Sequence, residues 1–120
     1  MKYHSDQALD LEKNSYLALF SCYERPDEIL PLQMRRLRIR DKITNKEQEF
    51  LLEHNSVMFF SLATNSKYQH KIILDTSSNK NDSLEDNKWL GITFRKSKTL
   101  IQFKDNLPYF ENGEILRLAD

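Results

Sequence analysis

The sequence predicts an α+β fold, with two to three N-terminal helices packed on a C-terminal antiparallel sheet of four to five strands. Three observations predict it. Apolar residues recur mostly at three- and four-residue steps between Ser5 and Tyr23, and Thr44-Asn45-Lys46-Glu47 has capping-box spacing. From Val57 onward, short apolar or alternating runs are separated by polar turns and end at Asn112-Gly113. The 120 residues are the length of one domain, with 1–55 expected to be mainly helical and 56–120 mainly a β-meander.

In the first element, Ala8, Leu9, Leu11, Tyr16, Leu17, Leu19 and Phe20 form the apolar stripe, with Asp10, Lys13 and Asn14 between them. Ser5 is placed to cap the first turn and Asp6 to complement the helix dipole, and Arg25-Pro26-Asp27 ends the element. The stretch from Asp27 to Ile43 carries two patterns. Leu30, Met34 and Leu37 fit a helical stripe, whereas Arg36-Leu37-Arg38-Ile39-Arg40 alternates like a strand. Its Met, Leu, Gln and Arg content favours a short helix from Leu32. A third helix is expected from Thr44, with Phe50, Leu51 and His54 on its inner face and Asn55-Ser56 at its end.

The run 57–62 reads as a buried strand, and 70–75 as a second strand paired with it in a hairpin. In 89–94 the residues Leu90, Ile92 and Phe94 share one face, expected to be the core face. Lys96-Ser97-Lys98 reads as a turn, and Leu100 to Phe103 as the next strand, with Ile101 and Phe103 expected in the core. The segment 76–87, rich in Ser, Asn, Asp and Lys with Leu84 as its apolar anchor, is expected to be a mobile surface loop.

Composition narrows the function. Glycine occurs only at Gly91 and Gly113, so the chain has no glycine-rich phosphate cradle, dinucleotide turn or nucleophile elbow. No cofactor is expected. Eighteen basic residues balance eighteen acidic ones, which leaves no global field to steer the molecule toward nucleic acid or an anionic membrane. Cys22 has no internal disulfide partner, and no N-terminal apolar run reads as a signal or a membrane span, so a cytoplasmic location is expected.

The densest charge is Arg35-Arg36-Leu37-Arg38-Ile39-Arg40-Asp41-Lys42. Guanidinium groups here suit phosphates or a partner's carboxylates, while Glu24, Asp27, Glu28, Glu47, Glu49 and Glu53 are available to neutralise them within the chain. A helix-turn-helix is disfavoured, because Glu47, Glu49 and Glu53 would lie on the recognition helix against the phosphates. A second basic group, Arg95, Lys96, Lys98 and Lys104, surrounds Trp89, Phe94 and Phe103. Trp89 is out of register with the apolar set and is expected to be partly exposed.

His4, His54 and His70 are scattered and show no metal-ligand spacing, and Glu53 and His54 point about 100° apart on a helix. No catalytic residue or metal ligand is therefore assigned, and the chain is expected not to be an enzyme. The function expected is that of a small cytoplasmic binding protein, an inhibitor or neutraliser of a partner enzyme or toxin in the manner of an immunity protein or antitoxin. Its contact residues would be Arg35, Arg36, Arg38, Arg40, Lys42, Trp89, Lys96 and Lys98. The alternative is a nucleic-acid-binding accessory or regulatory protein that uses the Arg-rich segment 35–42.

Overall fold

A computed structural model describes residues 1–74 and 87–117, and among these residues the chain forms two three-stranded antiparallel sheets and a separate hairpin. The strands are β1 (Tyr16–Tyr23), β2 (Arg36–Asp41), β3 (Glu47–Leu51), β4 (Ser56–Ser61), β5 (Tyr68–Ile73), β6 (Trp89–Phe94), β7 (Ile101–Lys104) and β8 (Leu107–Phe110). The longest helix among the described residues is α1 (Leu62–Lys67), with 6 residues. The first sheet has the order β4-β1-β6, the second β3-β2-β5, and among the described residues β7 pairs with β8 alone. The expected α+β layering is therefore overturned, and the N-terminal half is built of strands.

Each predicted helix fails for a local reason. In β1 the residues Leu17, Leu19, Ser21 and Tyr23 are buried while those between them are not, a period of two rather than 3.6. Asn14, at φ 61°, turns the chain just before this strand. Pro26 and Pro31 each open a single 3₁₀ turn instead of a helix. In β2 the alternation of Arg with Leu and Ile prevails over helix propensity, because Leu37 and Ile39 face the core.

Thr44 opens no helix either. Asp41 Oδ1 accepts hydrogen bonds from the backbone N–H of Ile43 at 2.8 Å and of Thr44 at 3.0 Å, and Asn45 sits at φ 60°. These contacts make the β2–β3 turn, and the Thr44 and Ile43 N–H groups hold the Asp41 carboxyl below its ordinary range.

Strands do occupy most of the expected runs, at Ser56–Ser61 and Tyr68–Ile73, with Asp75 outside the described residues, but they do not form a hairpin. α1, capped by Ser61 Oγ accepting from Thr64 N at 3.1 Å, carries the chain from the first sheet into the second. β4 pairs with β1 and β5 with β2. Turns not foreseen in the sequence include Asp105-Asn106, whose φ values of 50° and 63° suit the two-residue β7–β8 connection. Asn112-Gly113 does turn the chain back: Gly113 has φ 90°, and Phe110 N–H donates to Glu114 O at 2.7 Å.

The core lies between the two sheets. Leu19 of β1, Leu37 of β2 and Leu52 form its buried centre, with Ile39, Met58, Ile72 and Trp89 packed against them. Tyr23 joins the layers. Its hydroxyl donates to Leu52 O at 2.6 Å and accepts from Arg35 N–H at 2.8 Å.

Strand β6 faces the opposite way from expectation. Trp89, Gly91 and Thr93 pair with the inward residues Tyr23, Ser21 and Leu19, whereas Leu90, Ile92 and Phe94 point outward. Gly91 is required by this arrangement, because a Cβ there would lie 2.2 Å from the Trp89 ring. Ile101 and Phe103, also expected in the core, are exposed. The loop expected at 76–87 lies outside the described residues except for Asn87, whose side-chain amide is paired with the Arg25 backbone at 2.9 and 2.7 Å. Among the described residues no helix is long and apolar enough to cross a membrane.

Candidate functional site: an apolar sheet face

In an antiparallel ladder, residues paired across strands share a face. Ala18 pairs with Phe59 and Phe94, Phe20 with Val57 and Ile92, and Cys22 with Leu90. With Tyr16 at the end of β1, the outward surface of the first sheet is thus apolar on all three strands and carries no charge between Tyr16 and Cys22. Phe59 is 68% exposed, Tyr16 63%, Phe94 56% and Leu90 54%.

These side chains with Val57 and Ile92 expose on the order of 600 Å² of apolar surface, taking about 150–250 Å² for a fully exposed aromatic ring. Such an area is at the upper end of patches found on monomers, about 300–600 Å². It also approaches the roughly 800 Å² that each partner contributes to a standard interface. Cys22 is a half-buried free thiol on this face.

The outward surface of the second sheet is the chemical opposite, and it holds the arginines singled out in the sequence. Arg38 of β2 is paired directly with Glu49 of β3; its Nε donates to Glu49 Oε1 at 2.7 Å, and its Nη2 bonds the same oxygen. Arg36 Nη1 lies 3.7 Å from Glu49 Oε2. Arg40 Nη2 donates to Gln69 Oε1 at 2.8 Å, and its guanidinium lies 4.0 Å over the Tyr3 ring. Tyr3 in turn donates to Glu47 Oε1 at 2.8 Å and meets Lys71 Nζ at 4.4 Å. Glu47 and Glu49, which argued against a recognition helix, are here cross-strand partners of the arginines.

The other expected contact residues are dispersed. The backbone N–H of Arg35 is held by Tyr23, and its carbonyl accepts from Leu52 N–H at 2.9 Å. Lys42 is exposed beyond β2, with its backbone bonded to Lys67 O at 3.2 Å. Trp89 is half-buried against the core. Lys96 pairs with Glu12 at 2.7 Å, and Lys98 is exposed with its N–H on Asp10 O at 2.9 Å. These eight residues do not form one surface.

Two further features escape sequence reasoning. Between the sheets, near α1, a cavity of about 240 Å³ is lined by apolar side chains including Ile39, Met58, Phe60 and Tyr68, with His70 at its wall. At the other side of His70, the N-terminal segment brings His4 and Asp6 beside it, so that ligand atoms of all three lie within 4.8 Å of one another. Two of the three histidines, distant in the sequence, are thus adjacent in space. Burial, and then the neighbouring His4, push the His70 imidazole below its ordinary value of 6.5. His54 is apart from them, its Nδ1 accepting from Tyr23 N–H at 3.0 Å.

The chain matches no protein-family model and no curated protein sequence.

Proposed function

We propose that this chain is a non-catalytic binding protein that covers part of a partner protein with the outward face of its first sheet, and that it acts as an inhibitor or neutraliser of an enzyme or toxin. The uncharged surface formed by β1, β4 and β6 carries this reading. Its exposed rings supply the apolar anchors that dominate binding energy at protein interfaces, and aromatic side chains are the type most enriched there. The paired charges of the second sheet serve a different role, keeping the opposite side of the molecule soluble. No observation favours the nucleic-acid reading, since Arg36, Arg38 and Arg40 already meet carboxylate, amide and ring partners within the chain.

The test is capture from extract of the native host with wild type and with Phe59→Ser/Phe94→Ser as baits, followed by assay of the captured protein with and without the purified chain. A stoichiometric enzyme or toxin, retained by wild type, lost by the double variant and inhibited on readdition, is the expected result. A chain that captures no such protein and sediments as a dimer of itself, dissociated by the same double substitution, would replace this function with self-association.

A further inference from the structure

His4 and Asp6 are two apart in an extended segment, so their side chains leave it on the same side. That segment is fastened to β5 by a two-way bridge, with His4 N–H on His70 O at 3.1 Å and His70 N–H on His4 O at 2.7 Å. Directly opposed residues put their rings together, and the two imidazole centroids are 4.5 Å apart. Both Nε2 atoms face one oxygen, Asp6 Oδ1, from 3.7 Å for His4 and 3.5 Å for His70.

The surroundings fix these donors in place. His4 Nδ1 lies 3.0 Å from the Lys2 carbonyl, which can only accept, so Nδ1 is the donor there and Nε2 is the ring nitrogen turned toward Asp6. Asp6 is held through its other oxygen: Arg95 Nε and Nη2 donate to Oδ2 at 2.9 and 2.6 Å, leaving Oδ1 to the imidazoles. Its backbone is clamped by the buried Asn65, whose Oδ1 accepts from Asp6 N–H at 3.0 Å and whose Nδ2 donates to Asp6 O at 2.8 Å.

We propose that His4, Asp6 and His70 bind a borderline divalent cation of the zinc, nickel or copper class and thereby lock the N-terminal segment onto β5. Two imidazoles and one carboxylate suit this class rather than calcium or magnesium, which take oxygen ligands. Three protein ligands leave a position for water. Donors bonded to zinc at about 2.0–2.1 Å lie roughly 3.4 Å apart, so only small movements close the site. Arg95 already offsets the Asp6 charge, which weakens the pull of the carboxylate on a cation.

The experiment is calorimetric titration of Zn²⁺ into the metal-free full chain, with Co²⁺ absorption as the reporter of nitrogen and oxygen ligation. The expected result is one equivalent bound with Kd on the order of 10 μM or tighter, accompanied by a higher melting temperature. His4 is half-exposed, so His4→Ala should fold as wild type yet bind at least about tenfold more weakly. His70→Gln should do the same, and His54→Gln should bind like wild type. No binding tighter than about 100 μM, or wild-type affinity in folded His4→Ala, would overturn the proposal.

Discussion

The outward faces of the two sheets have the same geometry and opposite chemistry. On β2, Arg36, Arg38 and Arg40 stand outward and find Glu49, Gln69 and Tyr3 on neighbouring elements. On β1, Tyr16, Ala18, Phe20 and Cys22 stand outward among further apolar side chains of β4 and β6. A face of charged groups, here partly paired within the chain, is stable in water. An apolar face of the same size is not, because every exposed ring retains the free energy of removal from solvent, about 25 cal/mol per Å². The difference identifies which side of the molecule has binding energy left to spend.

The largest expected effect breaks the division between inside and outside. Leu37 is buried between the outward Arg36 and Arg38, so Leu37→Ala should cost about 2–5 kcal/mol in chemical denaturation. Equal stability in that variant would mean the two sheets do not share a core.

Next in size, Phe59→Ser/Phe94→Ser should weaken partner binding at least about 100-fold, equivalent to about 2.7 kcal/mol, while far-UV circular dichroism and the unfolding midpoint stay near wild type. Loss of fold in this variant would place those rings in a core and remove the contrast between the faces.

Tyr23→Phe tests the tie between the layers. It leaves the Leu52 carbonyl and the Arg35 N–H without their partner, at a cost of about 1–3 kcal/mol. Burial raises the Tyr23 hydroxyl above its ordinary value of 10.0. Its contribution to stability is therefore complete below pH 10 and is lost as pH rises through the folded-state value. Stability measured against pH should fall above pH 10 in wild type and fall less steeply in Tyr23→Phe; parallel curves would assign the alkaline loss to other groups.

The smallest effect belongs to the charged face. Glu49→Gln should lower the melting temperature slightly, and added salt should shrink the gap between variant and wild type, because the exposed pairs it breaks are screened. A large, salt-independent loss would give Glu49 a structural role beyond pairing with Arg36 and Arg38.

The same contrast governs what the sequence discloses. The alternation Arg36-Leu37-Arg38-Ile39-Arg40 is visible because one face is charged and the other apolar, and only the weight given to helix propensity conceals the strand. In β1 both faces are largely apolar, so Tyr16 to Tyr23 has no clear period of two to read, and Tyr16, Leu17 and Phe20 also fall at three- and four-residue steps. Leu90, Ile92 and Phe94 are misassigned for the same reason: apolar residues are read as interior ones, and an apolar outer face inverts that rule. One turn was legible. Asn112-Gly113 carries its own backbone requirement and reverses the chain as expected. The cluster of His4, Asp6 and His70 had no such local mark beyond the His-x-Asp spacing, since its third member arrives only through the bridge to β5.

The most direct test of the apolar face as the contact surface is site-specific photocross-linking in the native host, with a photoreactive residue in place of Phe59 in one protein and of Arg38 in another. A cross-linked partner protein is expected from position 59 and none from position 38. A partner captured from position 38 alone, or nothing but a second copy of the chain from position 59, would contradict it.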